Sequence, residues 1–152
     1  MGRRLLALAA IAALAVLVTG GAVWADESGR PFATTLSGAA EVPGPGDPDA
    51  SGSASILLNQ GQGVVCFDVS WADVDGTVFA SHIHLGTADV AGPVVVTLFA
   101  GSFAGTGAVS DCVEDVDRDL IKAIRQNPSA YYVNVHSAPD FPGGAVRGQL
   151  GK

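Results

Sequence analysis

Tyr131-Tyr132-Val133-Asn134-Val135-His136, followed after a break by Ala145-Val146-Arg147-Gly148-Gln149-Leu150, is the stretch that decides the fold. Alternation in the first run puts Tyr131, Val133 and Val135 on one face and Tyr132, Asn134 and His136 on the other, which is the period of a strand. Between the runs, Ser137 to Gly144 holds Pro139, Pro142 and Gly143-Gly144. These are residues of a connection, so the two runs should pair antiparallel. Patterning selects one register: Val135 opposite Val146, Val133 opposite Gly148 and Tyr131 opposite Leu150 give a continuous apolar face. The other face then carries a polar row, with His136 opposite Ala145, Asn134 opposite Arg147 and Tyr132 opposite Gln149. Slipping by one residue would mix the valines with Arg147 and Gln149, which a buried face forbids.

Upstream the chain reads as further strands. Val64 to Trp71 alternates cleanly, with Val65, Phe67, Val69 and Trp71 on the core face. Phe32–Ser37, Gly52–Leu58, Phe79–Gly86 and the doubly apolar Val94–Phe99 are also strand-like, and Asn59–Gly63 and Asp73–Gly76 carry turn residues. Residues 43–50 hold Pro43, Pro45 and Pro48 and are expected to be a surface loop, since proline lacks a ladder donor. The helical signal lies near residues 116–126. Asp115 or Asp117 can cap it, Leu120, Ile121 and Ile124 form its stripe, and Asn127-Pro128 ends it. So narrow a stripe suits a lid on the edge of a sheet. The class expected is all-β, an antiparallel β-sandwich or barrel-like module with one short helix.

Residues 1–25 read differently. Arg3-Arg4, an apolar run from Leu5 to Val18 and the small-residue end Val23-Trp24-Ala25 have the regions of a secretory signal peptide, cleaved after Ala25. The alternative is an uncleaved N-terminal membrane anchor. The expected product is a secreted or extracytoplasmic domain over 26–152. It keeps six of the eight basic residues and all fifteen acidic ones, a net charge of −9. An acidic chain without a basic cluster is a poor match for nucleic acid or anionic lipid, and suits cations or an extracellular protein or surface ligand better. Cys66 and Cys112 are the chain's only cysteines. In an exported chain such a pair most simply forms a disulfide, the alternative being a redox or metal role.

Chemistry concentrates on the three histidines. His82 and His84 share one face of a strand, roughly 6–7 Å apart at the backbone, and His136 comes from the polar face of another. Three imidazoles can hold copper or zinc with a position left open, for metal handling or for metal-assisted redox or hydrolytic chemistry. Asn134, Arg147, Tyr132, Gln149 and Asp140 are candidates to orient the rings or line the polar face. Histidines are also commonly half-buried without ligating anything. Arg147 can pair with Asp68 or Asp140, or meet an anion. The acidic groups Asp47/Asp49, Asp73/Asp75 and Asp111/Glu114/Asp115/Asp117 lack the spacing of a calcium loop and read as solvated turns and caps. No nucleophile motif is present, and Ser81 and Ser137 face away from their neighbouring histidines. The residues favour a non-enzymatic role.

Ala33-Thr34-Thr35-Leu36-Ser37-Gly38-Ala39-Ala40-Glu41-Val42-Pro43, Val65-Cys66-Phe67-Asp68, His82-Ile83-His84-Leu85-Gly86, Tyr131 to His136 and Phe141 to Leu150 together resemble a CHRD domain. This is the module named for its repeats in the extracellular antagonist chordin. The resemblance runs in order through nearly all of the chain after residue 25 and implies an exported, mostly β module but little about its chemistry; the role expected of it is binding or surface interaction. His82-Ile83-His84 and the glycine-rich end with Arg147 also resemble the copper-zinc superoxide dismutases. That family holds two metals with more histidines and an aspartate, so the likeness extends at most to a single ion.

Overall fold

The computed structural model describes residues 31–151; the signal segment expected over 1–25 lies outside the described residues. The strands are β1 (Phe32–Ser37), β2 (Ser51–Asn59), β3 (Val64–Ala72), β4 (Thr77–Leu85), β5 (Val94–Phe103), β6 (Gly107–Val113), β7 (Tyr131–Ala138) and β8 (Val146–Gln149). They form one antiparallel sheet in the order β5-β4-β7-β8-β1-β2-β3-β6. Its two edge strands, β5 and β6, are joined by Ala104-Gly105-Thr106, so the sheet curls round into a nearly closed barrel.

Side chains close the seam from within. Trp71 of β3 stacks on Phe99 of β5 at 5.4 Å and meets Phe103 edge-on at 5.8 Å, arrangements that aromatic rings favour. Trp71 Nε1 also donates to the Ala104 carbonyl at 2.9 Å, and the Val74 N–H to that of Gly105 at 2.9 Å. Val65, Phe67, Val69 and Trp71 are buried as their alternation requires, joined by Leu36, Ile56, Ile83, Val133, Val135 and Val146 in one core.

The β7–β8 register is the one that patterning selects: Val135 pairs with Val146, Asn134 with Arg147, Val133 with Gly148 and Tyr132 with Gln149. Gly148 is required there because a β-carbon would collide with the Thr35 carbonyl of β1 and the Leu36 side chain. β4 departs from simple alternation. An irregularity between Val78 and Ala80 inserts one residue, so Val78 turns into the core and the Phe79 ring goes out beside His136, centroids 5.8 Å apart. Unbroken alternation would put Phe79 on the face opposite His82 and His84; the bulge reverses it.

The helix, α1 (Arg118–Gln126), is capped by Asp117, whose side chain accepts from the Asp119 N–H, and it buries Ile121 and Ile124. Among the strands it packs chiefly against β2, an interior strand of the order, and not against the edge strands β5 and β6, so the expected place at a sheet edge is corrected. The stretch from residue 43 to 50 is irregular but not simply a surface loop. Asp47 and Ala50 are buried within it, and Asp47 Oδ2 accepts from the Asp75 N–H at 2.7 Å. The reading of Asp47 as a solvated turn residue is thereby overturned: the Asp47 N–H is bonded to the Ala145 carbonyl, which draws the segment onto the barrel.

Cys66 and Cys112 face each other across β3 and β6 and form a disulfide spanning 46 residues. A loop of that length stabilises by about 4 kcal/mol on the chain-entropy model. Replacing both cysteines with alanine is therefore expected to lower the unfolding free energy by about 2–4 kcal/mol while leaving the far-ultraviolet circular dichroism unchanged; denaturant titration of the two forms checks it.

Candidate metal centre

The histidines are assembled on the outer face of two neighbouring strands. In the β4–β7 pairing, His84 lies opposite Tyr132, His82 opposite Asn134, and the small Ala80 opposite His136. Ala80 leaves room for the His136 ring to lean toward His82, and the two rings approach with His82 Nδ1 3.0 Å from His136 Nε2. One nitrogen from each of His82, His84 and His136 lies within 4.8 Å of the others.

Backbone carbonyls orient two of the rings. His84 Nδ1–H donates to the Gly92 carbonyl at 2.9 Å, and His136 Nδ1–H to that of Pro142 at 3.1 Å. With Nδ1 as donor in each ring, Nε2 carries the free lone pair. His84 Nε2 is buried with no hydrogen-bond partner among the described residues. Two nitrogens on one ion, each 2.0–2.1 Å away, are at most about 4.2 Å apart. Around an ion with one position left open three such donors stand about 3.3 Å apart, so shifts of about an ångström in each ring would bring this donor set onto a single ion, and three neutral imidazoles are donors that copper and zinc prefer.

The environment keeps the rings uncharged. Burial, then the neighbouring His136 and His84, push the His82 imidazolium down from 6.5 to about 4. Burial likewise lowers His84 and His136, against the opposing pull of the Gly92 and Pro142 carbonyls.

Around the cluster the expected polar row is present, but it is buried. The guanidinium of Arg147, 1% exposed, lies 3.4 Å over the Tyr132 ring, and Tyr132 in turn stacks on His84 at 4.7 Å and 10°. Arg147 Nη2 donates to the Thr87 carbonyl at 2.7 Å, and Gln149 Nε2 to those of Gly86 and Ser129. These bonds strap the β4–β5 loop over the polar face. Arg147 thus pairs with neither Asp68 nor Asp140. Asp68 accepts from Ser110 on the other side of the barrel, and Asp140 is exposed beside Gly76. Asp140 is not brought to the histidines; Tyr132, Asn134 and Arg147 are, while Gln149 lies opposite Tyr132 with its amide turned to the Gly86 and Ser129 carbonyls. A cleft of about 390 Å³ bounded by Ala33–Thr35, Ser37, Ala40 and Arg147 contains no histidine.

Glu41 escaped sequence reasoning. It follows the 3-10 turn Gly38–Ala40, is 7% exposed, and presses its carboxyl against Gly144, where φ is +144° and a β-carbon would overlap Oε1. Burial raises its pKa to about 7, despite the nearby Arg147 charge, the Val42 N–H and the Asn134 amide. The available signal was a lone acid in the apolar run Ala39-Ala40-Glu41-Val42.

A family model for the CHRD domain matches residues 32–150, and the chain belongs to that family. No curated protein and no solved structure matches it. The disulfide fits an oxidising, extracytoplasmic location, and no helix among the described residues is long and apolar enough to cross a membrane.

The depressed histidines set a pH dependence. Unfolded, they take up protons from pH 6.5 downward; folded, they do so only at lower pH, so their contribution is present above 6.5 and is lost as pH falls, through about 4 for His82. Glu41, raised from 4.5 to about 7, acts in the opposite sense, its contribution being lost as pH rises through that window. In the presence of chelator, stability is expected to fall from pH 6.5 toward 4, and His82→Gln to flatten the fall; denaturant midpoints at intervals across that range measure both.

Proposed function

We propose that this CHRD domain is an exported, non-enzymatic binding module whose ligand is a single copper or zinc ion held by His82, His84 and His136. One observation carries the reading: His84 and His136 commit Nδ1 to backbone carbonyls and turn Nε2 toward the shared point, the orienting pattern typical of metal-binding histidines. Bound there, the ion supplies a Lewis-acidic, one-position-open centre. The protein's part is to hold the imidazoles neutral, fix their tautomers and keep the His84 ring stacked on Tyr132. Cleavage after Ala25 and release outside the cytoplasm belong to the same proposal, with the disulfide as support.

A second reading rests on a separate observation. Among the described residues, the large hydrophobic side chains that stay exposed, Leu85 at 43%, Val90 at 44% and Val94 at 47%, all lie on or beside the β4–β5 loop that flanks the histidines. That rim suits contact with an extracellular protein or surface ligand.

The two readings part on metal content. Protein purified without a histidine tag is expected to bind one zinc or copper(II) ion per chain in calorimetric titration. His84→Ala should weaken binding by at least about 100-fold and Asp89→Ala should leave it unchanged. Equal binding by the two variants would place the ion on the acidic surface, and a wild-type chain that takes up no ion would leave the rim as the functional feature.

A further inference from the structure

Behind the histidines lies a set of buried polar atoms that have no partners among the described residues: Glu41 Oε1, Asn134 Oδ1 and Arg147 Nη1, together with His84 Nε2. Asn134 stands at the centre of this set. It pairs in register with His82 on one side and Arg147 on the other, and its amide lies within reach of both the Glu41 carboxyl and the His84 ring. Glu41 is therefore one residue removed from the candidate ligands, in a buried space with one fixed positive charge.

Taking the metal reading above as its basis, we infer that Glu41 is the charge-balancing group of this centre: its carboxyl releases a proton to solvent when a divalent ion settles on the three imidazoles, and recovers it when the ion leaves. The step conserves charge and atoms. The ion displaces no proton from neutral histidines, because the His82 proton facing His136 can pass to the ring's other nitrogen, so the proton released is the carboxyl's own. What drives it is Coulombic. A buried Arg147 already favours the carboxylate, burial opposes it, and a further two positive charges beyond Asn134 tip the balance, since charges in a partly buried site interact several-fold more strongly than in water.

The groups facing Glu41 are few. Arg147 comes from β8, His84 and His136 lie beyond Asn134 on β4 and β7, and Asp47 on its own segment is turned to the Asp75 N–H. The carboxyl's pKa of about 7 before loading means that it holds its proton through mildly acidic conditions. The protonated form is what makes an acid tolerable at 7% exposure beside an apolar run.

Zinc is the probe for the test, because it carries no redox chemistry. Titrating the full protein with zinc in buffers of different ionisation enthalpy gives the protons released per ion. Wild type is expected to release about 0.9 more proton than Glu41→Gln at pH 6 and about 0.5 more at pH 7, the difference vanishing by about pH 8.5. Equal release by the two proteins, each binding one zinc, would overturn the inference while leaving the metal site intact; no zinc binding by wild type would overturn both. A measurement independent of the variant reads the wild-type chain directly. The carbonyl stretch of a protonated carboxyl should disappear from the infrared difference spectrum on zinc addition at pH 6, and its persistence in the loaded protein would sink the assignment.

Discussion

The constraint on which the rest depends is that β7 is buried on both faces. Tyr131 to Ser137 are all buried, and only one side of them is apolar. Val133 and Val135 face the barrel core, whereas Tyr132, Asn134 and His136 face outward and still have to be kept from water. A buried polar side chain is costly unless it is paired, so the outer face has to recruit cover that carries hydrogen-bonding groups. The β4–β5 loop supplies carbonyls at Gly86, Thr87 and Gly92, and the loop before β8 supplies that of Pro142. The result is a second, polar interior outside the barrel wall, and the histidines sit within it.

Much of the barrel was legible because its strands obey period two and one face of each must be dry. The β7–β8 register could be read from five positions, since any slip would bury Arg147 among valines. The helix was legible from its cap and its two isoleucines. What could not be read were effects that propagate between segments distant in sequence. One inserted residue in β4 reversed Phe79 and Val78, and a bulge leaves no mark in an alternation that Ala80 and Ser81 already blur. Which strands meet at the seam depends on Trp71 and Phe99 finding each other across the interior, and neither residue specifies its partner locally.

For the candidate centre, the residue types were visible and their neighbours only partly so. Two histidines at alternating positions of one strand announce a shared face, and the β7–β8 register sets Asn134, Arg147 and Tyr132 on the face of His136; that the two faces are one depends on the pairing of β4 with β7, which neither strand specifies locally. Asp140 is close to His136 in the chain but is carried away by the turn that Pro139 and Pro142 impose. Glu41 is remote in sequence from every histidine, yet it arrives because the stretch after β1 folds back over β8, drawn there by the bond from Asp47 to Ala145. Nearness along the chain was a poor guide to which acid would matter; the bonding needs of a covered polar face were a better one.

The seam between β5 and β6 also has a bearing on durability outside a cell. A sheet held shut there by rings rather than by a ladder would begin to fray at its edge strands, and a frayed edge is what a protease or another chain's edge engages first. The Cys66–Cys112 link ties β6 to β3, and Trp71 on the same β3 grips β5 from inside. One strand therefore anchors both lips of the opening, so that neither lip peels away without working against β3, the best-buried ribbon on that side of the wall.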